Sequence, residues 1–268
     1  MTPRRPYGRT HMEHTTSADG TTIAFDRLGD GPPLVVVGGI FCTRQTTAPL
    51  AEALASEYTV LNVDRRGRGD SGAIAPYAVD REVEDLAAVI AAAGGEAALY
   101  GHSSGAALAL EAAAAGLPLT RLVLHEPPYG DDEGAPEAAA MAADILAALD
   151  ADRPADAIRR FFQDMGMPSE LLDDMASDPA MLEVAPTMAH DIAVMGESDG
   201  GTIPEAKARS IAVPTLLLAG SESVPFFRTT AERLAALIPD ATYEVLDGAD
   251  HGAPPDLVAP AVARFLRA

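Results

Sequence analysis

Residues 97–105 read Ala97-Ala98-Leu99-Tyr100-Gly101-His102-Ser103-Ser104-Gly105. The apolar start of this stretch predicts a buried strand, and the alanine-rich residues 105–115 predict a helix that ends at Gly116. Between them, the Gly-x-Ser-x-Gly pattern places Ser103 on a sharp turn at the amino terminus of the helix, where the helix dipole favours developing negative charge. A serine hydroxyl needs such a position to act as a nucleophile. Ser103 is therefore the candidate nucleophile.

Strand and helix patterns alternate on both sides of this segment. Continuous apolar runs, typical of strands buried on both faces, occur at residues 33–37, 58–63, 122–124 and 213–220, and residues 242–246 predict a further strand. Helical patterns occur at residues 46–56, 79–93 and 229–237 and from Pro255 onward. Residues 12–28 instead predict a β-hairpin with its turn at Asp19-Gly20. The alternation predicts an α/β fold: a mostly parallel central sheet with helices on both faces and a site beyond the carboxyl ends of its strands.

The pattern of predicted secondary structure changes in the middle of the chain. Residues 130–205 lack strand signals and carry helical patterns punctuated by prolines, so we expect an all-helical cap inserted into the α/β core. The core is then divided into a first part at residues 12–129 and a second part at residues 206–268. Residues 1–11 are basic and polar, and we expect them to be a disordered leader or an expression remnant.

Composition narrows the classes of partner. The formal net charge of −21 repels phosphates, which excludes nucleic acids and argues against a membrane surface. The longest apolar runs fall far short of the roughly 20 residues of a membrane helix. Cys42 is the single cysteine, which excludes an internal disulfide and indicates the cytoplasm. We expect no metal, no cofactor, and a monomer or homodimer that binds a small-molecule substrate.

A glycine-rich loop at residues 64–72 carries arginines and aspartates. It lacks the Gly-x-x-x-x-Gly-Lys spacing that cradles a phosphate. We interpret it as a structural loop in which arginine–aspartate pairs brace the neighbouring loops.

From about residue 12 onward the chain resembles the α/β-hydrolase superfamily, in its capped, serine-nucleophile branch of esterases, lactonases and perhydrolases. Four segments carry the resemblance: Val35-Val36-Val37-Gly38-Gly39, Asp64-Arg65-Arg66-Gly67-Arg68-Gly69-Asp70-Ser71, Gly101-His102-Ser103-Ser104-Gly105 and Gly248-Ala249-Asp250-His251-Gly252. The resemblance implies the α/β-hydrolase fold. One departure is that Gly38 stands where the family usually has a histidine.

The resemblance also implies roles around the serine. His251 follows the last predicted strand, where the family has its general base. The oxyanion hole is expected to use the backbone N–H groups of Ser104 and of the loop after residues 33–37, with Ile40 preferred over Phe41. The side chains expected to line the substrate pocket are Phe41, His102 and Phe226.

The sequence has no carboxylate at the usual position of the triad acid. Family members have an aspartate where this chain has Ser223, and a serine cannot stabilise an imidazolium as a carboxylate does. Some branches, among them the haloalkane dehalogenases, have the acid at the end of the preceding strand, which corresponds to Glu126. We prefer Glu126, and Glu222 and Asp250 remain alternatives.

These residues favour hydrolysis of a small or medium carboxylic ester, lactone or thioester through an acyl-enzyme. Methionines and phenylalanines in the predicted cap favour an apolar acyl or lactone substrate. Two alternatives on the same triad are carbon–carbon bond hydrolysis and cofactor-free perhydrolase activity. An alternative of another class is a ligand-binding or receptor-like protein with weak or no hydrolysis.

Overall fold

The computed structural model describes residues 11–163 and 168–268. Residues 1–10 of the predicted leader lie outside this part of the chain. The strands are β1 (His11–Thr16), β2 (Thr22–Leu28), β3 (Pro33–Val37), β4 (Thr59–Val63), β5 (Ala97–His102), β6 (Leu119–His125), β7 (Thr215–Gly220) and β8 (Ala241–Leu246). The helices are α1 (Arg44–Leu54), α2 (Val79–Ala92), α3 (Ser104–Ala114), α4 (Ala135–Asp150), α5 (Pro154–Gln163), α6 (Ser169–Ser177), α7 (Pro179–Val184), α8 (Met188–Met195), α9 (Glu205–Ser210), α10 (Pro225–Leu237) and α11 (Pro255–Arg267). None of these helices has the length and apolar character needed to cross a membrane.

The strands form one sheet in the order β1-β2-β4-β3-β5-β6-β7-β8. Strands β3 to β8 are parallel, and β1 and β2 form an antiparallel hairpin that joins β4. Gly20 has a φ of +89° in the hairpin turn, which glycine adopts without strain. The predicted α/β fold with a mostly parallel sheet is confirmed.

Both faces of the sheet are buried because its central strands are apolar at successive positions. Val35 and Val37 of β3 pack with side chains of α2 and α3, whereas Leu34 and Val36 point to the opposite face and pack with α1 and α11. Burying each such side chain contributes about 1.5–3 kcal/mol. The resulting platform fixes the carboxyl ends of β3, β5, β6 and β7 beside one another.

Helices α4 to α9 lie between β6 and β7 in the chain, and we call them the helical insertion. Its helices bury a small core of their own, formed by Ala142, Ala148, Ile145, Ile158, Met188 and Ile192 among others. Ile40 and Phe41 of the α/β core pack against this cluster. An isolated β-bridge between Gly130 and Thr202 pairs the segment before α4 with the segment before α9. Its role as a cap stays a prediction.

Candidate active site

Ser103 lies on the tight turn between β5 and α3. Its backbone has φ of +56° and ψ of −127°, a conformation that residues with a Cβ rarely adopt. A Cβ on Gly101 would lie 2.2 Å from the carbonyl oxygen of Gly105, and one on Gly105 would lie 2.6 Å from that of Gly38. The backbone N–H of Ser103 donates to the carbonyl of His125 at 2.9 Å. The two glycines are therefore required by the close packing of the turn.

His251 contacts Glu126 directly. The distance from His251 Nδ1 to Glu126 Oε2 is 2.5 Å, and the Glu126 side chain is fully buried. The backbone N–H of Gly220 donates to the other carboxylate oxygen at 2.7 Å. Burial by itself would raise the pKa of Glu126, but the hydrogen bonds from His251 and Gly220 hold that pKa below its usual value. A charged Glu126 accepts a hydrogen bond from the Nδ1–H of His251, which leaves Nε2 as the proton acceptor.

The other two candidate acids lie elsewhere. Glu222 is exposed and accepts a hydrogen bond from the neighbouring serine hydroxyl, and Asp250 is exposed and accepts one from a backbone N–H two residues along. Ser223 is buried beside Glu126, where its hydroxyl helps to lower the pKa of the carboxyl without reaching hydrogen-bond geometry. Among the three candidates, Glu126 is the one that meets His251.

Two rings lie against His251 besides its acid partner. Phe227 stacks on the imidazole with a centroid separation of 4.4 Å and an interplanar angle of 11°. His102 lies 4.6 Å away, and its Nε2 is 2.9 Å from the carbonyl oxygen of His251. Burial, His125 and His251 lower the pKa of His102, and burial and His251 lower that of His125 to about 3. His102 and His125 are therefore both neutral at pH 7, so neither adds a positive charge to the site.

The loop after β3 comes directly against the nucleophile. A Cβ on Gly39 would lie 2.7 Å from Ser103 Cβ and 3.2 Å from Ser103 Oγ, so a larger residue would displace the loop. Ile40, the predicted oxyanion donor, follows Gly39. Ser104 is the first residue of α3, so its backbone N–H has no carbonyl partner within the helix. Each predicted donor is thus adjacent in sequence to a residue at the nucleophile: Ile40 follows Gly39, and Ser104 follows Ser103.

The predicted pocket residues lie in different surroundings. Phe41 has a φ of +59°, and its ring lies 5.8 Å and 5.6 Å from the rings of Phe161 and Phe162 in α5. The Phe226 side chain is 42% exposed and packs on Phe227, which is the ring that contacts His251. Phe41 therefore lies between the core and the helical insertion, and Phe227 rather than Phe226 touches the candidate base.

A buried cluster of charges lies beside the turn, and the sequence analysis did not include its central member, Asp191 of α8. Asp191 accepts hydrogen bonds from Arg65 at 2.5 Å, from the Ser104 hydroxyl at 2.6 Å and from Arg68. Arg65 also makes two 2.7 Å hydrogen bonds to Glu82. The arginines of loop 64–72 do pair with carboxylates, but Asp191 is more than 120 residues away and no motif marks it.

One set of described side chains has the composition of a metal site. Potential ligand atoms of His102, Glu126 and His251 lie within 4.8 Å of one another. Two of these groups are hydrogen-bonded to each other, and His102 Nε2 faces the His251 carbonyl. The arrangement fits a hydrogen-bonded acid–base group, in which Glu126 and Nδ1 of His251 are engaged with each other.

Comparison with known proteins places this geometry in a family. A model of the alpha/beta hydrolase family matches residues 34–264. The N-formylmaleamate deformylase of Pseudomonas putida is 40% identical over 117 residues, which span 42% of this chain and 44% of that protein. The 2-(acetamidomethylene)succinate hydrolase of Mesorhizobium japonicum is 30% identical across 92% of both chains. A solved alpha/beta hydrolase from Sphaerobacter thermophilus is 47% identical, covers 95% of this chain and 100% of its own, and superposes with a TM-score of 0.86.

Proposed function

The chain belongs to the alpha/beta hydrolase family, and we propose that it is a serine hydrolase that cleaves a small acyl compound through an acyl-enzyme. The observation that carries this proposal is the 2.5 Å contact between His251 and the fully buried Glu126. A buried carboxylate of lowered pKa has a clear chemical use here, because it stabilises the imidazolium that forms when His251 takes a proton.

In the proposed reaction, Ser103 Oγ attacks the substrate carbonyl while His251 Nε2 takes the hydroxyl proton. The carbonyl oxygen becomes an oxyanion, which accepts hydrogen bonds from the backbone N–H groups of Ile40 and Ser104. The tetrahedral intermediate then breaks the bond to the leaving group, which departs with the proton from His251. A water molecule releases the acyl group by the same steps, and Ser103 recovers its proton.

An ester, lactone or thioester with an apolar acyl group is the first candidate substrate. The aromatic cluster of Phe41, Phe161 and Phe162, at the junction of the α/β core and the helical insertion, supports an apolar acyl site. We further propose that the helical insertion acts as the cap of this site.

A small N-acyl compound is the second candidate. Both curated relatives described above have names that contain an N-acyl group, formyl in one and acetamido in the other. The alignment with the Mesorhizobium japonicum hydrolase runs across nearly the whole of both chains. An amide nitrogen is a poorer leaving group than an ester oxygen, so this substrate class depends more strongly on proton delivery by His251.

The test begins with labelling by a fluorophosphonate probe, which reacts with activated serines. We expect the wild-type protein to be labelled and the Ser103→Ala variant to be unlabelled. Absence of label on the folded wild-type protein would refute the proposal and favour a ligand-binding protein. Turnover is then measured on p-nitrophenyl esters of increasing chain length, on lactones, on N-formyl and N-acetyl compounds, and on a diketone. Preference for the diketone would instead favour carbon–carbon bond hydrolysis.

A further inference from the structure

One carboxylate of the helical insertion reaches both segments that carry the oxyanion donors. Asp191 of α8 is fully buried, and its two oxygens face the α/β core rather than its own helix neighbours. One oxygen accepts from the Ser104 hydroxyl and from Arg65, and the other accepts from Arg68. Two of these contacts, those with Ser104 and Arg68, connect Asp191 to the nucleophile by short paths of bonded groups.

The first path runs through Ser104. Its hydroxyl donates to Asp191 Oδ1 at 2.6 Å, and its backbone N–H is one of the two predicted oxyanion donors. Because Ser104 begins α3 directly after Ser103, this hydrogen bond ties the first peptide unit of the helix to α8. The orientation of the Ser104 N–H is thereby linked to the position of Asp191.

The second path runs through Arg68. Its guanidinium donates to Asp191 Oδ2 and, through Nη1, to the carbonyl oxygen of Gly39 at 2.7 Å. The C=O of Gly39 and the N–H of Ile40 belong to one planar trans peptide unit, in which they point in opposite directions. Binding the carbonyl on the Arg68 side therefore fixes the direction of the Ile40 N–H. Arg68 is itself held by a 2.9 Å bond from Nε to the Thr187 hydroxyl.

The charges of this cluster make Asp191 hard to replace. Arg65 and Arg68 bring two positive charges into a buried volume, and Asp191 and Glu82 balance them. Burial by itself would raise the pKa of Asp191, but Arg68 and Arg65 hold it below its usual value, so the carboxylate stays charged. Without that charge, Arg68 loses its buried ionic partner, and its guanidinium is held less firmly at the Gly39 carbonyl.

We propose that Asp191 is a positioning residue that fixes both oxyanion donors, Ile40 N–H and Ser104 N–H, from the helical insertion. This inference rests on the proposed function, because a hole for an oxyanion has a use only if Ser103 forms one. A mispositioned donor weakens binding of the transition state more than binding of the substrate. Loss of Asp191 should therefore lower kcat and leave KM nearly unchanged.

The test compares Asp191→Asn with Asp85→Asn. Asp85 is a matched control, because it is also a buried carboxylate and accepts two hydrogen bonds at 2.7 Å from an arginine of the same loop, Arg66. We expect Asp191→Asn to lower kcat on a p-nitrophenyl ester roughly tenfold to hundredfold, with KM within about twofold, somewhat less than the loss of an oxyanion donor itself. Its affinity for phenylboronic acid, which forms a tetrahedral adduct with an activated serine, should fall in proportion. Asp85→Asn should lower the thermal midpoint without changing kcat.

A second variant, Ser104→Ala, covers the case in which Asp191→Asn does not fold. It removes the first path and leaves both arginines paired, and we expect a kcat about tenfold below wild type with KM unchanged. If the wild-type protein is active and both folded variants match Asp85→Asn in kcat and in boronate affinity, the positioning role is refuted and the proposed function stands. If the wild-type protein neither hydrolyses esters nor reacts with fluorophosphonate, the proposed function fails and the positioning role fails with it.

Discussion

Replacing Glu126 by glutamine tests the most informative contact of the site. The substitution keeps the size of the side chain but removes the negative charge that lies 2.5 Å from His251 Nδ1. An amide can also turn its NH2 group toward the ring, which would force the proton onto Nε2, where the proposed base must be free. We expect kcat to fall sharply while the substrate still binds.

The size of the effect follows from the lost interaction between imidazolium and carboxylate. At charge centres about 4 Å apart and an effective dielectric constant of about 20, this attraction is worth about 4 kcal/mol. Since about 1.4 kcal/mol corresponds to a factor of ten in rate, its loss from the transition state lowers kcat about a thousandfold. The wrong tautomer of His251 can extend this to about ten-thousandfold.

The assay is kcat and KM on a p-nitrophenyl ester for the wild-type protein, Glu126→Gln and Glu222→Gln. Glu222 is the matched control, because it is an exposed glutamate close to the site that makes no contact with His251 among the described hydrogen bonds. Thermal unfolding of each variant separates a loss of catalysis from a loss of folded protein. The lowered pKa of Glu126 adds a pH signature to unfolding: the stability that depends on its charge is fully present above the usual carboxyl range and is lost as the pH falls through the lowered pKa.

Two results would refute the reasoning. One is a folded Glu126→Gln protein with kcat within tenfold of wild type, measured under conditions in which Ser103→Ala is inactive. The other is a larger loss for Glu222→Gln than for Glu126→Gln, which would assign the acid to the loop after β7.

Three further predictions concern single contacts. Glu197 is 8% exposed, and burial followed by the charge of Asp191 raises its pKa from 4.5 to about 7, so the folded protein binds the extra proton and stability falls as the pH rises from about 4.5 to 7. Glu197→Gln should remove this loss: its free energy of unfolding in urea should exceed that of the wild-type protein by up to about 3 kcal/mol at pH 8, but by much less at pH 5. Equal gains at the two pH values would contradict this prediction. Gly39→Ala should lower kcat about a hundredfold, because its Cβ displaces the loop that carries Ile40 N–H, and a kcat near wild type would show that this loop is not used. Phe227→Leu should lower kcat about tenfold by freeing His251, whereas Phe226→Leu should leave kcat unchanged, and the opposite ranking would exchange their roles.

The sequence predicted those parts of the protein that depend on local patterns. The buried strands and the turn at Ser103 follow from apolar runs and paired glycines. The predicted start of α10 at residue 229 was four residues late, because Pro225 occupies the first turn, where a helix tolerates proline.

The remaining features depend on contacts between distant parts of the chain. Neighbouring helical residues differ by about 100° in direction, so the sequence could not decide whether Phe226 or Phe227 faces His251. Asp191 is a single acidic residue in a helix with no motif, and only the packing of α8 against α3 brings it to Ser104. Residue patterns could therefore not identify Asp191 as part of the site.

The two departures around the acid, a serine at position 223 and a glutamate at position 126, are linked by geometry. Strands β6 and β7 are neighbours, so Glu126 and Ser223 follow adjacent strand ends, and the Ser223 hydroxyl is buried beside the Glu126 carboxylate. A second carboxylate at position 223 would face Glu126 in a fully buried place, and two like charges there would raise the pKa of one of them. Either strand end can therefore supply the acid, but both cannot do so at once. A serine at position 223 is therefore compatible with Glu126 as the acid of the proposed triad.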